Sequence, residues 1–132
     1  MTEPLWLTRD VVLAIQGELI ARFGGLDGIR DGGLLDSALN RPMHLFRYGD
    51  PSLFDLAAAY AEGIVKNHPF FDGNKRAGFM VAYTFLGING LRLEAPEEEA
   101  VVQTLALATG ASDALEFASW LAKSAISRIL SE

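Results

Sequence analysis

The sequence predicts an all-α fold, a compact bundle of about six helices around a buried central hairpin, and three observations predict it. Apolar residues recur at helical rather than alternating spacing along most of the chain. Two stretches, about Leu53 to Lys66 and Asn74 to about Asn89, are apolar nearly all round, and a helix of that kind belongs in the middle of a bundle. No segment reads as a strand apart from one possible short hairpin near Leu91-Arg92-Leu93. The 132 residues suit a single domain over 1–132, which at this size buries roughly two-thirds of its unfolded surface and needs no covalent staple.

The elements follow in order. Thr8 is a plausible N-cap for a helix running to about Phe23, with Val11, Val12, Ile15, Leu19, Ile20 and Phe23 as its core face and Gly24-Gly25 as its stop. The glycine-rich stretch from Gly25 to Gly33 has neither the spacing nor the lysine of a phosphate-binding Walker loop and reads as an ordinary connection. A short helix over about Leu34 to Asn40 should end before Pro42 and leave Met43 to Asp50 irregular. His44, in that irregular stretch, has no second metal ligand at helical spacing and reads as a surface or packing histidine.

The two central helices carry Leu53, Phe54, Leu56, Ala57 to Tyr60, Ile64 and Val65, and Phe79, Met80, Val81, Tyr83, Phe85, Leu86 and Ile88. Asn89-Gly90 closes the second of them, Leu91 to Leu93 is extended, and Pro96 suits the first turn of the next helix. Glu97, Glu98 and Glu99 then complement the positive end of that helix. Gly110 ends it, and Ser112 or Asp113 caps the last helix, with Glu116 at capping-box spacing from Asp113.

Composition narrows function. Eleven basic against 17 acidic residues give a net charge of −6, which repels a polyanion, so nucleic acid is excluded as the main partner. Without cysteine there is no disulfide framework, thiolate metal site or thiol nucleophile. Met1-Thr2-Glu3-Pro4 lacks a basic leader region and no apolar run is long enough for a bilayer, so no membrane partner is expected and the default location is cytoplasmic.

The link between the two central helices concentrates the chemistry. It places Lys66, Asn67, His68, Asp72, Asn74, Lys75 and Arg76 beside the most buried elements of the fold, where polar groups are costly unless they pair with one another or with a ligand. Gly73 and Asn74 open a helix whose free N–H groups and positive dipole end form an anion site suited to a polyphosphate. Lys75 and Arg76 add fixed positive charge, Asp72 is a hard oxygen ligand for a magnesium ion that already holds phosphate oxygens, and His68 is a base that can be neutral at cell pH. Phe70 anchors the loop in the core.

The run His68-Pro69-Phe70-Phe71-Asp72-Gly73-Asn74-Lys75-Arg76 resembles the signature of the Fic/Doc family. The resemblance extends through Gly25 to Asp31 and Leu34 to Leu39, which look like the upstream region of death-on-curing relatives, and it covers most of the chain from about Leu7 to Leu121. It implies a helical Fic/Doc fold, with His68 as the base that takes the proton of a target hydroxyl, Asp72 as the magnesium ligand, and Gly73, Asn74, Lys75 and Arg76 as the phosphate cradle. The adenylylating branch has glycine where this chain has Lys75, and a second arginine where it has Phe79. Those departures favour the death-on-curing toxins, which transfer the terminal phosphate of ATP to a Ser or Thr hydroxyl, as of a threonine in elongation factor Tu, and are neutralised by a small antitoxin. The family's inhibitory Ser/Thr-x-x-x-Glu-Gly/Asn pattern is broken at Phe117, which reads as absence of an internal inhibitor, and the resemblance also suggests a target-docking flap over Met43 to Asp50. Two alternatives stand beside the ATP-dependent kinase: a protein adenylyltransferase, and a catalytically idle binding module.

Overall fold

The computed structural model describes residues 2–127. Six helices run in the order α1 (Arg9–Phe23), α2 (Gly32–Tyr48), α3 (Leu53–Asn67), α4 (Asn74–Ile88), α5 (Glu97–Thr109) and α6 (Ala114–Ser124), with β1 (Leu91–Leu93) after α4 and β2 (Ala125–Ser127) after α6. No helix among these residues is long and apolar enough to cross a membrane.

The expected hairpin of α3 and α4 is the centre of the bundle. Nine of the 15 residues of α3 are buried, and the helix packs against α2, α4, α5 and α6, so it has no solvent side over most of its length. Ser52 and Asp55 start it with a reciprocal capping box, the Asp55 N–H donating to Ser52 Oγ at 3.1 Å and the Ser52 N–H to Asp55 Oδ2 at 2.9 Å. Tyr60, wholly buried in α3, packs on Phe85 of α4 and accepts a hydrogen bond from the Leu7 N–H at 3.2 Å, while burial pushes its phenol above the ordinary value. The N-terminal segment is thereby strapped across the end of α4, where Asn89 also pairs with both backbone groups of Leu5.

Small residues set how closely α4 approaches α3. A Cβ on Gly78 would stand 2.6 Å from Val65 Cγ1 and 3.2 Å from the Ala61 carbonyl oxygen. Valine is stiff in a helix and the carbonyl belongs to the backbone, so neither gives way easily. Gly78→Ala gains about 0.5–1 kcal/mol of helix preference and loses about 1–3 kcal/mol to overpacking. The expected net result is destabilisation by about 1–2 kcal/mol, read as a lower urea midpoint at an unchanged slope.

The fold corrects three expectations. The predicted break at Pro42 does not occur, and α2 runs unbroken through it from Gly32 to Tyr48. An interior proline costs about 3 kcal/mol or more, and tertiary packing offsets it here: Pro42 is buried, Phe46 meets Trp6 edge-on at 5.7 Å, and Arg41 pairs with Glu62 of α3 at 2.9 Å. His44 therefore lies on a helix, exposed, with its ring tilted against that of Tyr48 one turn on at 4.7 Å. On α1, Val11 and Phe23 face solvent, and the buried positions are Val12 and the polar Gln16. The extended piece 91–93 forms no local hairpin; it pairs antiparallel with β2, Arg92 opposite Ile126, which ties the end of α6 to the end of α4.

The expected caps and the acidic first turn of α5 match, while Pro96 stands one position earlier, at the N-cap of α5. Thr8 caps α1 and Asp113 caps α6, each accepting from the N–H three residues on. Glu97 to Glu99 occupy the first turn of α5, and Glu99 has a further partner that dipole reasoning does not anticipate, the Trp120 indole N–H at 2.6 Å.

Candidate active site

The α3–α4 link is a loop of six residues, and its two ends are set by backbone conformation. At the C-terminus of α3, His68 takes the left-handed conformation with φ 51° and ψ 55°, the one non-glycine residue with positive φ among those described. At the N-terminus of α4, Gly73 is left-handed at φ 74°, where a glycine carries no steric cost. The Ala77 N–H to Gly73 carbonyl bond, 2.9 Å, is the first of the helix, and Gly73 offers no side-chain cap. The N–H groups of Asn74, Lys75 and Arg76 are thus the free donors of that first turn.

Between these ends Phe70 is buried, as expected of an anchor, and Asn74 is the polar hub. Asn74 is 6% exposed. Its Oδ1 accepts from the Phe70 N–H at 3.1 Å and its Nδ2 donates to the Phe70 carbonyl at 3.0 Å, which settles the orientation of the amide. Nδ2 also lies 3.4 Å from His68 Nδ1. When that contact is made, Nδ1 accepts and the neutral imidazole carries its proton on Nε2.

Asp72 is exposed and its carboxylate is half engaged. Oδ2 accepts from the Leu26 N–H at 2.6 Å, while Oδ1 has no hydrogen-bond partner among the described residues. No group of three or more acidic or histidine side chains able to hold a metal occurs among those residues. The donor set fits a hard cation bound by one carboxylate oxygen with its remaining ligands from phosphate and water, and does not fit an all-protein cage.

Lys75 and Arg76 are exposed on the first turn of α4 and take part in none of the ion pairs among the described residues. The Arg76 guanidinium stands over the ring of Phe23, 4.4 Å from its centroid. This contact accounts for Phe23, at 51% exposure, lying outside the core it was expected to join.

The glycine-rich connection between α1 and α2 lies against the motif rather than away from it. The Arg30 and Asp31 N–H groups donate to the Pro69 carbonyl at 2.7 and 3.0 Å, and the Phe71 N–H donates to the Gly28 carbonyl at 3.3 Å, giving an antiparallel bridge between Ile29 and Phe70. The Arg30 side chain donates to the carbonyls of His68 and Asn67. From below, Gln16 Nε2 reaches the Asp72 carbonyl at 2.6 Å, and Gln16 is only 1% exposed.

His68, Asp72, Lys75 and Arg76 are therefore exposed along one short segment, with Gly73 partly exposed between them and Asn74 buried beneath. Sequence reasoning missed Gln16, Phe23 and Arg30. The signal for Gln16 was present, a polar residue at the centre of an apolar stripe; Phe23 and Arg30 carried none. A groove of about 770 Å³ between α2, α3 and the start of α6, lined by His44, Asp50, Glu62 and Leu115 among others, includes none of the motif residues.

Comparison with known proteins agrees with the motif. A family model described as the Fic/DOC family matches residues 6–86. The chain is 47% identical over 97 residues to a protein named Toxin Doc from Mycolicibacterium smegmatis, covering 72% of this chain and 71% of that one. It is 30% identical over 93 residues to Protein kinase doc of Escherichia phage P1, covering 69% of this chain and 74% of the relative.

Proposed function

The chain belongs to the Fic/DOC family, and from that premise we propose that it is a cytoplasmic toxin-type transferase moving the terminal phosphate of ATP to a Ser or Thr hydroxyl of a protein. The observation that supports the reading is the six-residue link that holds exposed His68 and Asp72 beside the uncapped N-terminus of α4. Relatives named as a Doc toxin and as a protein kinase support it, as does Lys75 in place of a glycine.

In this reading the polyphosphate lies on the N–H groups of the first turn of α4, with the Arg76 guanidinium and the Lys75 ammonium on its oxygens. Asp72 Oδ1 would hold magnesium, which supplies charge neutralisation to the phosphates. The hydroxyl oxygen forms a bond to the γ-phosphorus, the bond from that phosphorus to the bridging oxygen breaks with its electron pair leaving on ADP, and the hydroxyl proton passes to His68. Accepting at Nε2 requires the ring proton on Nδ1, which would face a second donor in Asn74. The imidazole therefore gives up its 3.4 Å contact as the hydroxyl arrives, and a contact so long is inexpensive to lose. The exposure of His68 and Asp72 suits a protein substrate. Elongation factor Tu is the first target to try, and a small antitoxin is the expected partner.

Incubation with lysate, magnesium and ATP labelled at either the γ- or the α-phosphate tests the reading. Label from the γ position on a protein band is expected; label from the α position instead makes the protein an adenylyltransferase, and neither label overturns transfer from ATP altogether. A smaller effect concerns Phe23. A cation–π contact at an exposed site contributes about 0.5–1 kcal/mol, and this one is made without ligand, so Phe23→Ala should lower folding stability by about 0.5–1 kcal/mol in urea titration, and Phe23→Trp should restore it.

A further inference from the structure

We infer that Arg30, in the connection between α1 and α2, is the positioning residue for His68; the inference rests on the reading that His68 takes the hydroxyl proton. A left-handed conformation costs a residue with a Cβ about 1–2 kcal/mol; α3 itself holds only the His68 N–H, on the Ile64 carbonyl at 3.2 Å, and the carbonyls that follow are held from outside the helix. The peptide groups on either side of its Cα are the two that matter, since one fixes φ and the other ψ. The carbonyl of the first is that of Asn67 and the carbonyl of the second is that of His68 itself. Arg30 binds both, Nη2 donating to Asn67 at 3.0 Å and Nε to His68 at 2.7 Å, and its own backbone N–H holds the next carbonyl, Pro69, at 2.7 Å.

The chemistry of the side chain suits the task. A guanidinium is a planar fork whose donors hold a fixed spacing, so it can tie two peptide planes at once, and an ammonium is a point charge that cannot. Arg30 enters no ion pair among the described residues. Its charge is directed instead at the negative end of α3, where the last carbonyls lack helical partners. Asn74, on the other side, touches only the ring. The two contacts divide the work: Arg30 sets the backbone of His68 and Asn74 the resting pose of its imidazole.

A mere helix cap would stabilise α3 and leave the imidazole indifferent; a positioning residue would not. The test compares wild type, Arg30→Ala and Arg30→Lys by steady-state transfer of γ-label and by NMR of the histidine ring carbons. The chain has two histidines, so the two ring signals are assigned with His44→Gln. A misplacement of about 1 Å costs on the order of 100-fold, so Arg30→Ala is expected to lower kcat about 10- to 100-fold. KM for ATP should stay within about twofold, because the phosphate donors of α4 are not touched. Arg30→Lys should remain near the alanine variant. The His68 ring signal should shift or broaden in both variants while that of His44 stays in place. An unmoved His68 signal, a raised KM with kcat kept, or full recovery by lysine overturns the inference. If Arg30→Ala does not fold, the lysine variant decides alone. If wild-type protein transfers no label, the transfer reading fails, and the ring signals still report whether Arg30 holds His68.

Discussion

His68→Ala should lose label transfer by about 10²- to 10⁴-fold, the range a positioned general base contributes, while the fold survives. The ring is exposed and its one described contact is the long one to Asn74, so its removal opens no cavity. The backbone is the sensitive part, because residue 68 is left-handed and alanine tolerates that conformation no better than histidine. His68→Asn is the matched control, since asparagine enters the left-handed region readily and has no basic nitrogen. Both variants should unfold within about 1 kcal/mol of wild type, and both should be inactive. Transfer retained by either one removes His68 from the chemistry. Lost transfer accompanied by an early melting transition leaves its role unproven, which is why the thermal midpoint is measured on the same samples.

The sequence carried the central features because they are written locally. Uniform apolarity of α3 and α4, the Thr8 and Asp113 caps, and Gly90 and Gly110 as stops are each readable within a turn or two, and the structure follows them. The motif is readable for the same reason, being one contiguous run. What escaped was set by distance in the chain. Pro42 looks like a break until Trp6 and Glu62, far away in sequence, hold the helix on either side of it. Leu91 to Leu93 looks like half of a local hairpin until Ala125 to Ser127 returns to pair with it. The support of the motif is likewise remote: Gln16 lies 56 residues from Asp72 and Arg30 lies 38 from His68. The glycine-rich connection read as bland because its contacts are nearly all backbone groups or a single guanidinium, and neither leaves a compositional trace. A motif can thus name the reacting groups while the residues that aim them remain invisible until the chain is folded.

Asn74→Ala should produce the largest loss of stability among the motif substitutions, with loss of transfer as well. The amide saturates both backbone groups of Phe70, a residue whose side chain is 1% exposed, so truncation leaves an N–H and a C=O unpaired in a buried setting. Each orphaned group costs about 1–3 kcal/mol, and some relief comes from water entering the truncated site, so the expected loss is about 2–4 kcal/mol. That is a large fraction of the 5–15 kcal/mol typical of a domain, and it should appear as a lower urea midpoint with the slope preserved. Asn74→Asp separates the two roles. The carboxylate still accepts from the Phe70 N–H but cannot donate to the Phe70 carbonyl, and it sets a negative charge on the first turn of α4 where phosphate is proposed to bind. Its stability should lie between wild type and alanine. Protonation of the carboxyl restores a donor, so the variant's deficit relative to wild type should shrink as pH falls through the carboxylate range. Transfer should stay lost, because the charge opposes the ligand. A stable, fully active aspartate variant would show that Asn74 serves neither the loop nor the anion site.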